Sequence, residues 1–173
     1  AISEGALYER KAVTGVDIRG GKRIVHVEGE GETIFDLVVG AFGVNSELGG
    51  KLFFGYRPPK TWQACQAELE VGREAVRKRF ENMIHIFTLG GKNVKFVAFT
   101  PKENFVTVSA IGHHVTIGDL TRCLEDPRIT PFLARDWTIH CHCHPLLAVT
   151  AARNPYAERM VMVGDAFISR FLK

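Results

Sequence analysis

The chain has 173 residues, 46% of them hydrophobic and 10% aromatic, and carries a formal net charge of +3. This composition allows a real hydrophobic core and predicts a globular chain in which one domain is the default. The small net charge is spread along the chain, so we expect no nucleic-acid partner.

No apolar stretch of 18 residues and no secretory signal is evident in the sequence. We therefore expect a cytoplasmic protein without stable membrane insertion. The four cysteines, Cys65, Cys123, Cys141 and Cys143, are expected to be reduced thiols, because nothing indicates an oxidising compartment.

The first fifty residues are predicted to form mainly strands. Residues 12–19 and 23–28 alternate with the strand period, and Gly20-Gly21 between them is a hairpin turn signal. Residues 34–39 are nearly all apolar, which predicts a strand that is covered on both faces. The loop over residues 41–46 would then lie at the carboxyl end of that strand, where ligands gather in α/β sheets.

The middle of the chain predicts antiparallel strands with helical interludes. Turn residues separate the apolar runs, which favours hairpins. The predicted strands are 62–71, 83–89, 94–100, 105–111 and 137–144. Residues 116–124 predict a helix, with Thr116 as a possible N-cap and Asp119 in the first turn. Residues 72–80 predict a short exposed helix or a loop, and residues 130–135 a helical turn.

Near the C-terminus, Met160-Val161-Met162-Val163 predicts a short buried strand, and Gly164-Asp165-Ala166 predicts a tight turn into a helix. The first N–H groups of such a helix face the crevice beyond the strand. Gly164 would let a ligand approach the backbone, and Asp165 would accept hydrogen bonds from sugar-like hydroxyls. An ordinary strand end with a polar turn is the alternative.

Three segments carry a family resemblance: residues 36–46, 154–159 and 160–166. Together they resemble the p-hydroxybenzoate hydroxylase family of flavoproteins, and more closely its geranylgeranyl reductase-like branch. The resemblance implies an FAD-dependent oxidoreductase, in which Gly164, Asp165 and Ala166 touch the ribityl chain of FAD. The following helix would stabilise negative charge on the reduced flavin.

The first glycine-rich loop, over residues 41–46, departs from the family pattern. The family carries an Asp-Gly pair where this chain has Phe42-Gly43. Phenylalanine accepts no hydrogen bond, so we expect the loop to keep its shape through Gly40 and Gly43 and to lose that polar role. Both glycines count as candidate cofactor-binding residues.

The resemblance also implies a domain organisation. The expected fold class is α+β, derived from an α/β parent: a mixed or antiparallel substrate-binding sheet (56–145) between remnants of a Rossmann-like FAD-binding domain (1–55 and 146–173). A GxGxxG unit for the FAD pyrophosphate is not found; Gly29-Glu30-Gly31 lacks the third glycine. We therefore expect a central fragment, inactive and without FAD by itself, whose missing N-terminal part is a partner.

By the same resemblance, the substrate would be a small apolar or aromatic compound, and the reaction a monooxygenation or a reduction. Candidate substrate-binding residues are Trp62, Phe96, Phe99 and Pro101. Aromatic residues on strands of period two are more often plain core, which is the alternative. No side chain stands out as a general acid or base.

The segment His140-Cys141-His142-Cys143-His144-Pro145 carries a second hypothesis. Strand alternation would place the three histidines on one face and the two cysteines on the other. His140 and His142 are then candidate ligands in a non-catalytic metal- or ligand-binding α+β module. Zinc usually needs four ligands from more than one element, however, and the flavoprotein branch has a similar Cys-x-Cys-x-Pro segment without metal.

Overall fold

The computed structural model describes residues 2–52, 54–133 and 137–168 and divides the chain into two compact units. The first comprises Ala1–Lys60 and Ala148–Lys173, and the second comprises Thr61–Leu147. The boundaries predicted from the sequence are at residues 55 and 145. The cofactor and substrate roles assigned to the segments stay predictions.

The described residues form twelve strands and two α-helices, with short 3₁₀ turns between some of them. The strands are β1 (Val13–Arg19), β2 (Lys22–Val27), β3 (Gly31–Phe35), β4 (Val38–Gly40), β5 (Thr61–Glu70), β6 (His85–Phe87), β7 (Val94–Pro101), β8 (Phe105–Gly112), β9 (Thr138–Cys143), β10 (Leu146–Ala148), β11 (Tyr156–Ala157) and β12 (Met160–Met162). The helices are α1 (Arg73–Phe80) and α2 (Ile117–Leu124). This α+β composition agrees with the expected class.

The first unit opens with an antiparallel meander of β1, β2 and β3. Gly20 and Gly21 connect β1 to β2 with φ angles of +58° and +71°, a conformation that glycine adopts without strain. The predicted hairpin is confirmed. Gly29 and Gly31 lead into β3 and not into a helix, so they form no phosphate-binding turn.

The predicted single strand over 34–39 is wrong. β3 ends at Phe35, the chain bends at Asp36, and β4 begins at Val38 in a different sheet. Neither half is covered on both faces, because Ile34 is 65% and Val39 54% exposed. An apolar run by itself does not distinguish one buried strand from two short strands that meet at a bend.

The first unit also contains a small sheet with the strand order β11, β12, β4. β12 pairs with β11 antiparallel and with β4 parallel, Val161 lying opposite Val39 and Met162 opposite Gly40. Met160 and Met162 are buried, together with Val16 and Tyr56. The predicted strand at Met160 is therefore confirmed, and its carboxyl end lies beside that of β4.

The second unit is built on an antiparallel sheet with the order β10, β5, β8, β7, β6, in which β9 also pairs with β5. The three consecutive strands predicted over 83–89, 94–100 and 105–111 are present as β6, β7 and β8. β6 is shorter than predicted, since it covers only His85–Phe87.

Both helices of the second unit pack on one face of its sheet. Val76 and Phe80 of α1 and Leu120 and Leu124 of α2 join the buried cluster that includes Leu69 of β5. α2 begins with a capping box: the Thr116 hydroxyl accepts a hydrogen bond from the Asp119 N–H, and the Asp119 carboxylate accepts one from the Thr116 N–H. The predicted N-cap is confirmed.

The opposite face of this sheet, here called the second face, is defined by the strand register. Gln66 lies opposite Ser109, which lies opposite Ala98, and Glu68 lies opposite Thr107. These residues alternate with buried Ala67 and Leu69, so their side chains leave the sheet on the side away from α1 and α2. Polar and small residues dominate this face.

None of the described helices is long and apolar enough to cross a membrane.

Candidate functional site

Two glycine-rich segments lie side by side at the carboxyl ends of β4 and β12. The strands are adjacent and parallel, and the Val163 N–H donates to the Gly40 carbonyl over 3.0 Å, which extends the pairing beyond both strands. The loop of Gly40 and Gly43 and the turn of Gly164 therefore leave the same edge of the sheet. In open α/β sheets this edge is where ligands bind.

Gly40 is needed for packing. A Cβ atom at this position would clash with Sδ of Met162 and would lie 3.0 Å from the Phe42 ring. Glycine thus lets the two strand ends meet. The structure gives a reason for this candidate residue that requires no ligand.

Gly43 and Gly164 differ from Gly40, because the space beside them is open. Their φ angles are +69° and +61°, and a Cβ atom would meet nothing within 4 Å at either position. Each glycine is required by the left-handed backbone and not by a protein neighbour. A ligand can therefore approach both backbones.

Gly164, Asp165 and Ala166 form one turn of 3₁₀ helix. The N–H groups of Phe167 and Ile168 donate to the Gly164 carbonyl at 2.9 and 3.0 Å, so the chain does turn after β12 as predicted. The helix expected to follow falls largely on residues 169–173, which lie outside the described residues.

Asp165 and Ala166 have opposite surroundings. Asp165 is exposed, and within the described part of the chain it has no hydrogen bond or ion pair. Ala166 is fully buried, and its carbonyl accepts a 2.6 Å hydrogen bond from the Tyr56 hydroxyl. The turn is thus held from its buried side, while the Asp165 carboxylate stays available to a ligand.

Tyr56 was not identified from the sequence. It is 6% exposed, and burial raises the pKa of its hydroxyl, which keeps the group neutral as a donor. Its ring also meets the Phe42 ring edge to face, with centroids 6.1 Å apart. A lone tyrosine in a loop gives no signal of a contact 110 residues further along the chain.

A cleft of about 860 Å³ lies beside the first glycine-rich loop. Its lining is mostly apolar and includes Val13, Val38, Gly40, Phe42 and Met160. None of Gly43, Gly164, Asp165 and Ala166 lines it. Phe42 lines this cleft, and its ring also meets the Tyr56 ring.

The predicted substrate-binding residues do not form one group. Phe96 lies opposite Ile111, on the second face. Trp62 lies an odd number of residues before Ala67 and Leu69 in β5, so its side chain also leaves the sheet on the second face. Phe99 lies on the other face, fully buried, with its ring stacked 6.0 Å from Phe80. Phe99 therefore does not share a face with Trp62 and Phe96, as the prediction required.

The fourth predicted substrate residue, Pro101, also lies apart from the aromatics. It ends β7 and lines a groove with Arg73 and Arg77 of α1, on the helix side of the sheet. Trp62 itself contacts the His113 ring edge to face, with centroids 5.6 Å apart. Of the four residues, Trp62 and Phe96 share a face that carries no α-helix among the described residues.

The second face contains a charged network that the sequence did not indicate. Oε1 of Glu68 accepts hydrogen bonds from Thr107 at 2.7 Å and from Lys102 at 2.5 Å. Burial raises the pKa of Glu68, but these two donors lower it more, so the pKa lies below its ordinary value. The carboxylate is therefore charged and leaves Oε2 available on this face.

The register of β9 gives the two candidate histidines different surroundings. The register between β5 and β9 shifts at Glu68/Leu69, which leaves His140 in a bulge, where its Nε2 lies 2.8 Å from Glu70. His142 lies opposite Ala67, on the other face from Cys141, and its ring meets His144 with centroids 5.6 Å apart. Within the described residues, no group of three or more potential ligands is placed to hold a metal ion.

The four cysteines are free thiols, as expected. Cys65 and Cys123 are buried, and burial raises the pKa of both, that of Cys123 to about 11. Cys141 and Cys143 are exposed.

Comparison with known proteins identifies the fold. No family model and no curated protein matches the chain. Solved structures do match it. The flavin-dependent brominase Bmp2 superposes with a TM-score of 0.73 and 13% identity, over 96% of this chain and 45% of Bmp2.

Two further matches are a variant of the halogenase PltM in complex with FAD and a monooxygenase. The PltM variant has a TM-score of 0.67 and 9% identity, over 96% of this chain and 38% of PltM. The p-nitrophenol 4-monooxygenase PnpA from Pseudomonas putida DLL-E4 has a TM-score of 0.58 and 12% identity, over 91% of this chain and 41% of PnpA. The chain thus spans less than half of each protein, and at these identities the likeness shows the fold alone.

Proposed function

We propose that this chain is part of an FAD-dependent oxidoreductase. One observation carries the proposal: two parallel strands place the Gly40–Gly43 loop and the Gly164–Ala166 turn at one sheet edge, linked by the Val163 to Gly40 hydrogen bond. The fold shared with two halogenases and a monooxygenase supports the same class.

The residues at this edge fit a ligand that carries a polyol chain. Asp165 presents an exposed carboxylate with no partner in the described part of the chain, and the space beside Gly164 and Gly43 is open. We assign Asp165 as the acceptor for ribityl hydroxyls and the two glycines as the points of close backbone approach. FAD would supply the electron transfer.

The turn is prepared for this role before a cofactor binds. Tyr56 fixes the Ala166 carbonyl from the buried side, so Asp165 needs little reorganisation to meet a ligand. Preorganised acceptors lose less conformational entropy on binding, which favours affinity. Tyr56 is accordingly a positioning residue in this proposal.

A further part of the parent protein would complete the site. In the described residues, β4 pairs on one side only, and its neighbourhood exposes Leu37 and Val39 at 61% and 54%. The apolar cleft beside Gly40 is lined by the same strand. We propose that an additional segment of the parent chain, which would also hold the pyrophosphate of FAD, packs against this surface.

The substrate would contact the second face of the sheet. Trp62 and Phe96 supply apolar surface there, and Glu68 supplies a charged acceptor further along the same face. This combination suits an apolar or aromatic compound. Phe99 is left out of the proposed contact surface, because it is buried on the other face.

The test is the flavin content of the natural protein that contains this chain. We expect about one equivalent of FAD, measured by absorbance and by release of the cofactor on denaturation. A natural protein that contains no flavin and takes up none from excess FAD would overturn the proposal.

A further inference from the structure

Two exposed cysteines share one face of an edge strand. β9 pairs only with β5 among the described residues, and its register places Cys141 opposite Glu68 and Cys143 opposite Gln66. Residues directly opposite each other in an antiparallel pair point to the same side. Both thiols therefore project from the second face, and both are exposed.

The spacing of the two thiols decides what they can hold. Residues i and i+2 of a strand lie about 6.6 Å apart, since each residue rises about 3.3 Å. A disulfide needs Cβ atoms about 3.5–4.5 Å apart, which an extended strand does not provide. An ion in line between two sulfur atoms, with metal–sulfur bonds of about 2.3 Å, requires the sulfurs to be about 4.6 Å apart. Rotation about χ1 of the two cysteines brings the sulfurs to this distance.

The neighbouring residues restrict the ion. Zinc takes four ligands, and the histidines of the same strand are not placed to add them: His140 is paired with Glu70, and His142 leaves the opposite face. A soft monovalent ion such as Cu(I) prefers thiolates and accepts two of them alone. The absence of a three-ligand group among the described residues is compatible with such a site.

Charge near the thiols also suits this ion. Two thiolates around a monovalent cation carry a net charge of −1. Glu68 lies opposite Cys141 and would oppose that charge, but its carboxylate is already paired with the Lys102 ammonium at 2.5 Å. The Lys102 ammonium therefore offsets the charge of the carboxylate that lies opposite Cys141.

We propose that Cys141 and Cys143 form a two-thiolate site for a soft monovalent metal ion, with Cu(I) as the expected ligand. Binding joins both sulfurs to the ion and releases the two thiol protons to solvent, with no change in oxidation state. The site goes beyond the proposed flavin function and does not depend on it.

The experiment uses the purified, fully reduced protein without oxygen. Cu(I) is added in competition with bathocuproine disulfonate, whose colour reports the copper that the protein does not take up. We expect one tightly bound equivalent, and X-ray absorption should show two sulfur neighbours. Cys141→Ser and Cys143→Ser should each weaken binding by about a hundredfold or more, since even outer-shell changes at metal sites cost 10–100-fold.

Matched variants separate this site from others. His142→Gln alters the same strand but the opposite face, and Cys123→Ala removes a buried thiol; neither should change Cu(I) affinity. Wild-type protein that binds Cu(I) no more tightly than the Cys141→Ser/Cys143→Ser double variant would refute the proposal. An equal loss in His142→Gln would refute it as well, because imidazole would then be a ligand.

Discussion

The hydroxyl of Tyr56 donates a 2.6 Å hydrogen bond to the carbonyl of Ala166, both groups being buried. This contact joins the loop before β5 to the turn after β12 within the first unit. It fixes the backbone next to Asp165, on which the proposed function depends.

Tyr56→Phe removes this hydrogen bond and little else. The buried Ala166 carbonyl loses its donor, so we expect a loss of about 1–2 kcal/mol in the free energy of unfolding. Urea unfolding of both proteins measures the difference. An unchanged free energy would show that the contact does not hold the turn.

Gly40→Ala should destabilise the first unit. The added methyl group meets Met162 Sδ and the Phe42 ring, and overpacking of this kind costs about 1–3 kcal/mol. Gly50→Ala is the matched control, because a Cβ atom there meets nothing within 4 Å and its φ is not in the left-handed region. Equal thermal stability of the two variants would contradict the packing role of Gly40.

Asp119→Asn should lower stability in a way that depends on pH. The Asp119 pKa lies below its ordinary value of 3.8, first because the Thr116 backbone N–H donates to it, and also through the Thr116 hydroxyl and Arg122. A depressed pKa stabilises the fold above pH 3.8 and loses this effect as the pH falls through the folded-state pKa.

The difference between wild type and Asp119→Asn should therefore be about 1 kcal/mol at pH 7 and should shrink below pH 3.8. Denaturant unfolding across this range provides the measurement. A difference that stays constant down to the acid transition would show that the charge of Asp119 has no part in the cap.

Thiol titration should distinguish two classes of cysteine. Cys141 and Cys143 are exposed and should react with a disulfide reagent in the native protein. Cys65 and Cys123 are buried and have raised pKa values, so they should react only after unfolding. Rapid reaction of all four thiols in native protein would contradict the described core.

The sequence predicted the elements whose signals are local. Neighbouring residues were enough to predict the Gly20-Gly21 hairpin and the Thr116 cap. They were also enough to predict the three consecutive strands β6, β7 and β8. The position of Gly164-Asp165-Ala166 after a buried strand was predicted in the same way. These patterns report on a few consecutive residues, which is enough to define a turn, a cap or a strand.

What the sequence missed depends on register and on distant contacts. A bulge at His140 interrupts the alternation along β9, and a bend at Asp36 divides one apolar run between two sheets. Phe96 and Phe99 face opposite sides of β7, which the period of two predicts once the strand is known. The Tyr56 to Ala166 bond joins segments that the sequence gives no reason to connect.

Asp165→Ala in the natural protein removes the carboxylate that we assign as the acceptor for the polyol chain of FAD, and titration of the variant with FAD measures its affinity. Glu28→Ala is the control, because Glu28 is also an exposed carboxylate of the first unit. We expect at least about a tenfold weaker affinity for Asp165→Ala, because hydrogen bonds to a charged acceptor are lost, and no change for Glu28→Ala. Equal FAD affinity of wild type and Asp165→Ala would contradict this assignment.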